Sequence, residues 1–385
     1  MNRLRNFTGL LGAGLSIAVI MICGAAPAQA SFTPREDALA AFTSVSADME
    51  VDPGWTGSID TCDVGTESQS SIDATLHTLN VIRAVAGIPP VTFSAAMDHA
   101  ALASALMTRA GDAVSHEPDS SWPCYSKEGA DAAATSNIYL GLSGASAMVG
   151  YIEDPGISSL GHRRWLLDPA STTFGSGSTG TTNALKVVEK SGKSTRRRNL
   201  PDDTLVAWPS PGWFPSPWMF KEWSVAIGSE NTKVDVSSAK VSATIDGSPL
   251  PTSGLSKLPA GTGTGVTLGW SADMPAAATS GDHAIAIAIT GVRVDGKPRP
   301  INYTVDAFDP TVAGQGTIDP GEGNSAGSGN AGNSGNGNAC HLSKKKLKRA
   351  RTALAKARRH HRKTGIKKAR KNLRALSRAQ TRRCG

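Results

Sequence analysis

The sequence predicts an α+β protein: a domain of mixed helices and strands, then an all-β sandwich, then a basic helical hairpin. Three observations predict this order. Helical periodicity is confined to the first half and the C-terminus, short alternating strands fill residues 204–309, and a Gly/Asn/Ser-rich stretch separates these strands from the C-terminus. With 385 residues, of which 39% are hydrophobic, the chain can form about two packed domains.

The formal net charge of +8 is distributed unevenly. Residues 340–385 contain 19 Lys/Arg and no Asp or Glu, whereas the remaining residues contain 21 Lys/Arg against 32 Asp/Glu. A uniformly basic body, as in many nucleic-acid-binding folds, is therefore excluded. The hydrophobic content also excludes a wholly disordered chain.

Residues 1–30 have the pattern of a secretory signal peptide. Arg3 and Arg5 precede an apolar stretch from Leu10 to Ala26, and Ala28-Gln29-Ala30 is a typical cleavage site. An uncleaved membrane anchor is the alternative, which the short apolar stretch disfavours. We therefore expect a secreted protein, without a transmembrane span after cleavage, that associates with the cell envelope.

Four cysteines remain after the predicted cleavage. An even number in an oxidising compartment indicates disulfides. Three pairings are possible, and we favour Cys62–Cys124 with Cys340–Cys384, because the predicted linker separates the two pairs.

Residues 31–195 are predicted to form the mixed domain. The pattern of 31–70 is typical of a loop. From Ser71 to Gly87, apolar residues recur at three- and four-residue steps, which predicts a helix with one buried face. An Ala-rich helix over about 94–109 and a weaker helix over about 143–152 follow.

Residues 204–309 contain about seven short alternating segments separated by Gly, Pro, Asn and Asp. Their number and length fit an immunoglobulin-like β-sandwich. Tryptophans recur every five residues at Trp208, Trp213, Trp218 and Trp223. An aromatic platform for sugars or a partner is one interpretation, but we favour packing at the junction between the domains.

The composition of residues 310–339 predicts a flexible linker. Residues 340–385 contain two segments with helical spacing around Gly365, and a disulfide between their outer ends would staple a hairpin. Its expected partners are anionic cell-wall polymers or acidic lipid surfaces; docking on the acidic remainder of the chain is the alternative. Nucleic acid is disfavoured, since the hairpin lacks aromatic residues for stacking.

Four motifs follow one another along the mixed domain: Leu79–Val91 (LNVIRAVAGIPPV), Ser115-His116, Ser136-Asn137-Ile138 and Gly161–Pro169 (GHRRWLLDP). In this order they resemble the CAP superfamily of cysteine-rich secretory, antigen 5 and pathogenesis-related proteins, in its bacterial secreted form. The resemblance covers about 71–190 and implies an α-β-α sandwich with a central cleft.

In many relatives this cleft holds two histidines and two acidic residues that can bind a divalent metal. The resemblance places the histidines at His116 and His162 and one acid near Asp154, whereas Ser136 stands where the other acid is expected. It implies a ligand-binding set that also includes Asn137. His116, His162 and Asp154 would be the metal ligands, since two imidazoles and a carboxylate can hold Zn²⁺.

Each histidine also has an ordinary structural interpretation. His116 could lie in a polar loop, and His162 could orient Arg163 or cap a helix. No G-x-S-x-G motif occurs, and we assign no catalytic residue. The expected function is an extracellular binding module, with a metal-assisted or Ser/His hydrolase as the alternative.

Overall fold

The structure, a computed structural model, describes residues 34–188, 198–229, 231–261, 264–275, 278 and 280–312. The predicted signal peptide, most of the linker and the basic hairpin with Cys340 and Cys384 lie outside the described residues. None of the described helices is long and apolar enough to cross a membrane.

The first part of the described chain combines helices and strands, which confirms the α+β prediction. Its sheet has the strand order β1-β3-β4-β2, with β1 parallel to β3 and the other pairs antiparallel. The elements in chain order are α1 (Arg35–Asp48), α2 (Gln69–Val85), β1 (Thr92–Phe93), α3 (Ala95–Gly111), α4 (Lys127–Ala133), β2 (Ser136–Leu140), α5 (Gly144–Glu153), α6 (Gly161–Leu166), β3 (Thr173–Ser178) and β4 (Thr182–Lys186).

The three predicted helices are confirmed as α2, α3 and α5. Helix α2 begins two residues before Ser71, because Ser68 is the N-cap residue and its side chain accepts the Ser71 N–H. The periodic residues Leu79 and Ile82 are fully buried, as the spacing predicted.

Helix α1 corrects the prediction that residues 31–70 form a loop. Its apolar side chains do not gather on one face, so helical periodicity gave no signal. Tertiary contacts hold it instead. Phe42 packs edge-on against Trp218 with ring centroids 5.4 Å apart, and Arg35 forms an ion pair with Asp282 at 3.1 Å. The short helices α4 and α6 were also not predicted from the sequence.

Helices cover both faces of the sheet. Helix α3 lies against Gly177, where a Cβ atom would lie 2.1 Å from the backbone N of Leu102. Only glycine allows this close approach. On the other face, the fully buried Tyr151 of α5 donates its hydroxyl to Asn183, 3.0 Å from Oδ1. The sheet is therefore the middle layer of the first part.

Two carboxylates close the outer edge of β3, beyond its short pairing with β1. The backbone N–H of Ser176 donates to Asp98 at 2.8 Å, and that of Ser178 donates to Glu67 at 2.7 Å. The Ser71 hydroxyl also donates to Glu67, at 2.6 Å. Burial raises the pKa of Glu67 to about 7 and that of Asp98 to about 6.

We predict that Glu67→Gln flattens the fall of stability with rising pH. Between about pH 4.5 and 7, the unfolded chain has released the Glu67 proton while the folded chain keeps it, so wild-type stability decreases across this window. The glutamine cannot ionise, so the stability of the variant relative to wild type should rise by about 1–3 kcal/mol from pH 5 to pH 7.5. Urea denaturation at both pH values measures the change, and parallel profiles would contradict it.

The Cys62–Cys124 disulfide is confirmed, with Cα atoms 5.0 Å apart. It joins the loop before α2 to the loop before α4. The two cysteines are 62 positions apart in the sequence, so the bond closes a long loop.

The second part of the described chain consists almost entirely of strands. A five-stranded sheet has the order β10-β9-β13-β16-β6, a four-stranded sheet β11-β12-β7-β5, and a three-stranded sheet β15-β14-β8. The strands are β5 (Leu205–Trp208), β6 (Gly212–Pro215), β7 (Glu222–Ile227), β8 (Val234–Asp235), β9 (Lys240–Ile245), β10 (Ser248–Leu250), β11 (Thr252–Leu258), β12 (Val266–Ala272), β13 (Asp282–Thr290), β14 (Arg293–Val294), β15 (Lys297–Pro298) and β16 (Ile301–Phe308).

The seven predicted strands correspond to β5, β7, β8, β9, β12, β13 and β16. Strands β6, β10 and β11 escaped prediction because Gly or Pro interrupts their alternation, and β14 and β15 have only two residues each. Alternate residues Ile285, Ile287 and Ile289 are buried. The buried residues of the two larger sheets and of the first part form one continuous hydrophobic core. The immunoglobulin-like topology stays a prediction.

Three of the four tryptophans, Trp208, Trp218 and Trp223, belong to this core. Trp208 and Trp223 are fully buried, and the rings of Trp208 and Trp218 lie 6.1 Å apart. Trp213 packs edge-on against Phe308 at 6.2 Å. These contacts favour the packing interpretation over an exposed aromatic platform.

Candidate ligand-binding cleft

One cleft of about 680 Å³ contains all the predicted ligand-binding residues. Its lining comes from β2, the C-terminal end of α5, helix α6 and the loop after α3. The predicted residues that line it are His116, Ser136, Asn137, Asp154 and His162. The fold thus brings together side chains from motifs that are up to 46 positions apart in the sequence.

His116 lies exposed at the rim of the cleft. Its Nδ1 is 2.8 Å from the carbonyl oxygen of Ala133. A carbonyl can only accept, so Nδ1 carries the proton and donates it. In the neutral ring, Nε2 then carries a lone pair that a ligand can use.

His162 has the same arrangement, with a buried carboxylate as its partner. Its Nδ1 lies 2.7 Å from Oδ1 of Asp154, while Oδ2 accepts the backbone N–H groups of His162 at 3.1 Å and Arg163 at 3.3 Å. The Asp154 side chain is 0% exposed, whereas that of His162 is 25% exposed. Asp154 therefore caps the start of α6 and orients the imidazole, and Nε2 of His162 is again the nitrogen left for a ligand.

These contacts do not support the predicted metal set of His116, His162 and Asp154. Both carboxylate oxygens of Asp154 are already engaged within the protein. Ser136 donates its hydroxyl to the Ala132 carbonyl at 2.7 Å. Among the residues that the structure describes, no group of three His, Cys, Asp or Glu side chains could hold a metal ion. Zinc sites use at least three protein ligands, so the donor set fits Zn²⁺ poorly.

Asn137 holds α6 against the sheet. Its Nδ2 donates to the carbonyl oxygen of His162 at 3.0 Å, and its backbone carbonyl oxygen lies 2.9 Å from the Tyr151 hydroxyl oxygen. Asn137 is only 2% exposed. Its amide is thus a positioning group behind the cleft.

The apolar walls of the cleft were not predicted from the sequence. Tyr139 and Trp165 line it, together with Val114 and Ile157, which are 48% and 39% exposed. Such exposure of large apolar side chains suits a ligand-binding surface. Trp165 lies inside the GHRRWLLDP motif, and that position was the only signal for it in the sequence.

Helix α6 also joins the cleft to the second part of the chain. The buried Arg163 donates to the carbonyl oxygens of Ile152 and Glu222, both at 2.7 Å. Arg164 donates to the Thr264 hydroxyl at 3.3 Å. Burial lowers the pKa of Arg163 to about 10, which leaves the guanidinium charged at neutral pH. His162 is therefore carried by a helix that both parts of the chain hold in place.

The Asp154–His162 pair resembles the orienting pair of a hydrolase, but a nucleophile is not identified. Among the described hydrogen bonds, no hydroxyl is paired with Nε2 of either cleft histidine. Ser115 instead accepts the backbone N–H of Glu117 at 3.0 Å. Ser/His catalysis would need a hydroxyl within hydrogen-bond reach of one of these nitrogens.

Residues 76–189 match the family model CAP, described as the Cysteine-rich secretory protein family. The matched segment includes both cleft histidines and supports the resemblance to the CAP superfamily for this part of the chain. No protein in a search of curated proteins matches the chain.

We predict that Asp154→Ala changes the tautomer of His162 and leaves that of His116 unchanged. Without the carboxylate, Nδ1 loses its acceptor, so the neutral ring should shift towards the Nε2–H form. Loss of the α6 cap should also cost about 1–2 kcal/mol of stability. Imidazole ¹⁵N NMR resolves the tautomers, with His116 as the internal control. An unchanged His162 spectrum would show that Asp154 does not set the tautomer.

Proposed function

We propose that the protein is an extracellular binding module whose cleft takes a ligand against His116 and His162. One observation carries the proposal: both histidines line one cleft, and each uses Nδ1 within the protein while Nε2 is left for a ligand. The family match and the Cys62–Cys124 disulfide agree with an exported protein.

The chemistry of the cleft defines the ligand in general terms. Neutral imidazoles with Nδ1 protonated accept hydrogen bonds at Nε2, so the ligand should present O–H or N–H donors. Trp165 and Ile157 would contact its apolar portion. A metal is not needed for this mode of binding, and neither is a nucleophile.

The test is a fragment screen by NMR on wild type and on a His116→Ala/His162→Ala double variant. Fragments with a donor group should shift the cleft resonances of wild type and bind at least about tenfold more weakly to the double variant, the loss expected for two hydrogen bonds. Equal binding to both proteins would refute the role of the histidines. Stoichiometric zinc in wild type, lost in the double variant, would replace this proposal by a metal site. Turnover of a model ester or peptide lost in the same way would replace it by a hydrolase.

We further propose that residues 1–30 direct secretion and that residues 340–385 anchor the protein to anionic envelope polymers or acidic lipids. The support is the concentration of 19 Lys/Arg in the tail without an acidic residue. Pull-down with cell-wall material should decline with salt and vanish near 1 M, where the Debye length is about 3 Å. Retention at that salt concentration would refute an electrostatic anchor, and a shortened chain that ends at residue 339 provides the matched control.

A further inference from the structure

One edge of strand β2 lies along the cleft. The strand is terminal in the sheet β1-β3-β4-β2, and all five residues of Ser136–Leu140 line the cleft. Successive side chains of a strand point to opposite faces, so a cleft on one face would meet only alternate residues. Contact with five consecutive residues indicates that the cleft follows the edge of the strand.

The hydrogen bonds at the two ends of the β2–β4 ladder fix which backbone groups face β4. Val187 N–H donates to the Thr135 carbonyl at 3.0 Å, and Gly141 N–H donates to the Thr181 carbonyl at 2.7 Å. In an antiparallel ladder, hydrogen-bonded and non-hydrogen-bonded pairs alternate. Every second residue between 135 and 141 therefore faces β4.

Those residues are Asn137 and Tyr139, which pair with β4. Ser136, Ile138 and Leu140 consequently turn their backbone N–H and C=O groups away from β4. Within the described part of the chain, no other strand pairs with this side of β2. Three backbone donors and three acceptors thus lie on the unpaired side of β2 at a spacing of two residues, and all three residues line the cleft.

The opposite edge of the sheet, along β3, is closed by side chains. There, the outward N–H groups of Ser176 and Ser178 are bound by the carboxylates of Asp98 and Glu67. Side chains close that edge, whereas the β2 edge opens into the cleft. A free strand edge is a template for an added strand.

We infer that the cleft binds an extended peptide segment, which pairs as an added strand with Ser136, Ile138 and Leu140. This inference rests on the proposed binding function and names the class of ligand. Peptide N–H groups also supply the donors that the imidazole Nε2 atoms need. The five residues of β2 span about 17 Å, which matches a segment of about five residues. Trp165 and Ile157 would contact its side chains.

Backbone amide exchange of the deuterated full chain tests the pairing directly. The probe is a pool of random-sequence hexapeptides, measured by TROSY NMR. We expect slower exchange and shifted resonances for the amides of Ile138 and Leu140, with little change in exchange for those of Asn137 and Tyr139. The same pool methylated at every peptide nitrogen should bind at least about tenfold more weakly, because it lacks the donors for strand pairing. Equal binding of the two pools, or protection without alternation, would overturn the inference.

A blocking variant locates the binding site. Ser159 is exposed and lines the cleft, whereas its exposed neighbour Ser158 does not line it. Ser159→Trp should reduce binding of the hexapeptide pool at least about tenfold by filling the cleft, and Ser158→Trp should leave it unchanged. Peptide binding unaffected by Ser159→Trp would overturn the inference. Donor fragments that bind through the histidines without any peptide binding would overturn it too, while leaving the proposed function intact; failure of both ligand classes would refute both.

Discussion

Replacing Arg163 with methionine is expected to destabilise the protein by about 3–5 kcal/mol. Arg163 is 1% exposed, and its guanidinium donates to carbonyl groups on both sides, from Ile152 and Glu153 in the first part and from Glu222 in the second. Methionine fills a similar volume but donates no hydrogen bond. The three carbonyl oxygens would lose their donor, which is the costly change.

Urea denaturation followed by tryptophan fluorescence measures the effect of Arg163→Met. Lys127→Met is the control, since Lys127 is exposed and pairs with Asp131 on the same helix. It should change stability little. The stability of Arg163→Lys should fall between those of wild type and Arg163→Met, because the ammonium can donate to fewer of the carbonyl oxygens. Equal stability of Arg163→Met and the control would show that the guanidinium does not hold the two parts together.

Removing the Cys62–Cys124 disulfide is expected to lower the free energy of unfolding by about 2–4 kcal/mol, which is the second large effect. The bond restricts the unfolded chain by closing a loop between residues 62 positions apart. A Cys62→Ser/Cys124→Ser variant should therefore unfold at lower denaturant concentration than wild type. The folded arrangement of α2 and α3 should persist in it, because their buried faces do not involve the cysteines.

Reduction provides the matched control for this variant. Dithiothreitol should lower wild-type stability to that of the double variant, so that the difference between the two proteins disappears. Cys340 and Cys384 are present in both proteins, and their reduction does not contribute to that difference. A difference that persists under reduction would mean that the serine substitutions act through the folded state instead.

The sequence allowed prediction of elements whose signal is local. Helix α2 has periodic apolar residues and a capping serine, and β9 and β13 alternate cleanly. Helix α1 gave no such signal, because it is held by contacts with residues more than 170 positions away, such as Trp218 and Asp282. Elements that depend on distant partners cannot be read from a window of sequence.

Part of the candidate site could likewise be predicted from the sequence, and part of it could not. Motif order identified the residues that line the cleft, because their types are visible in the sequence. It did not reveal that both carboxylate oxygens of Asp154 accept hydrogen bonds from His162 and the start of α6. The free edge of β2 was also invisible, since strand order is a property of the folded sheet.

The position of the β2 edge has a consequence for the behaviour of the protein at high concentration. Exposed strand edges allow sheets of neighbouring molecules to join, and this is a common start of aggregation. Here Ser136 and Ile138 are only 6% and 4% exposed, because the edge lies at the floor of a cleft. Pairing with a second sheet requires that sheet to reach the strand edge, which the low exposure of these residues restricts. The position of the edge should therefore limit self-association through it.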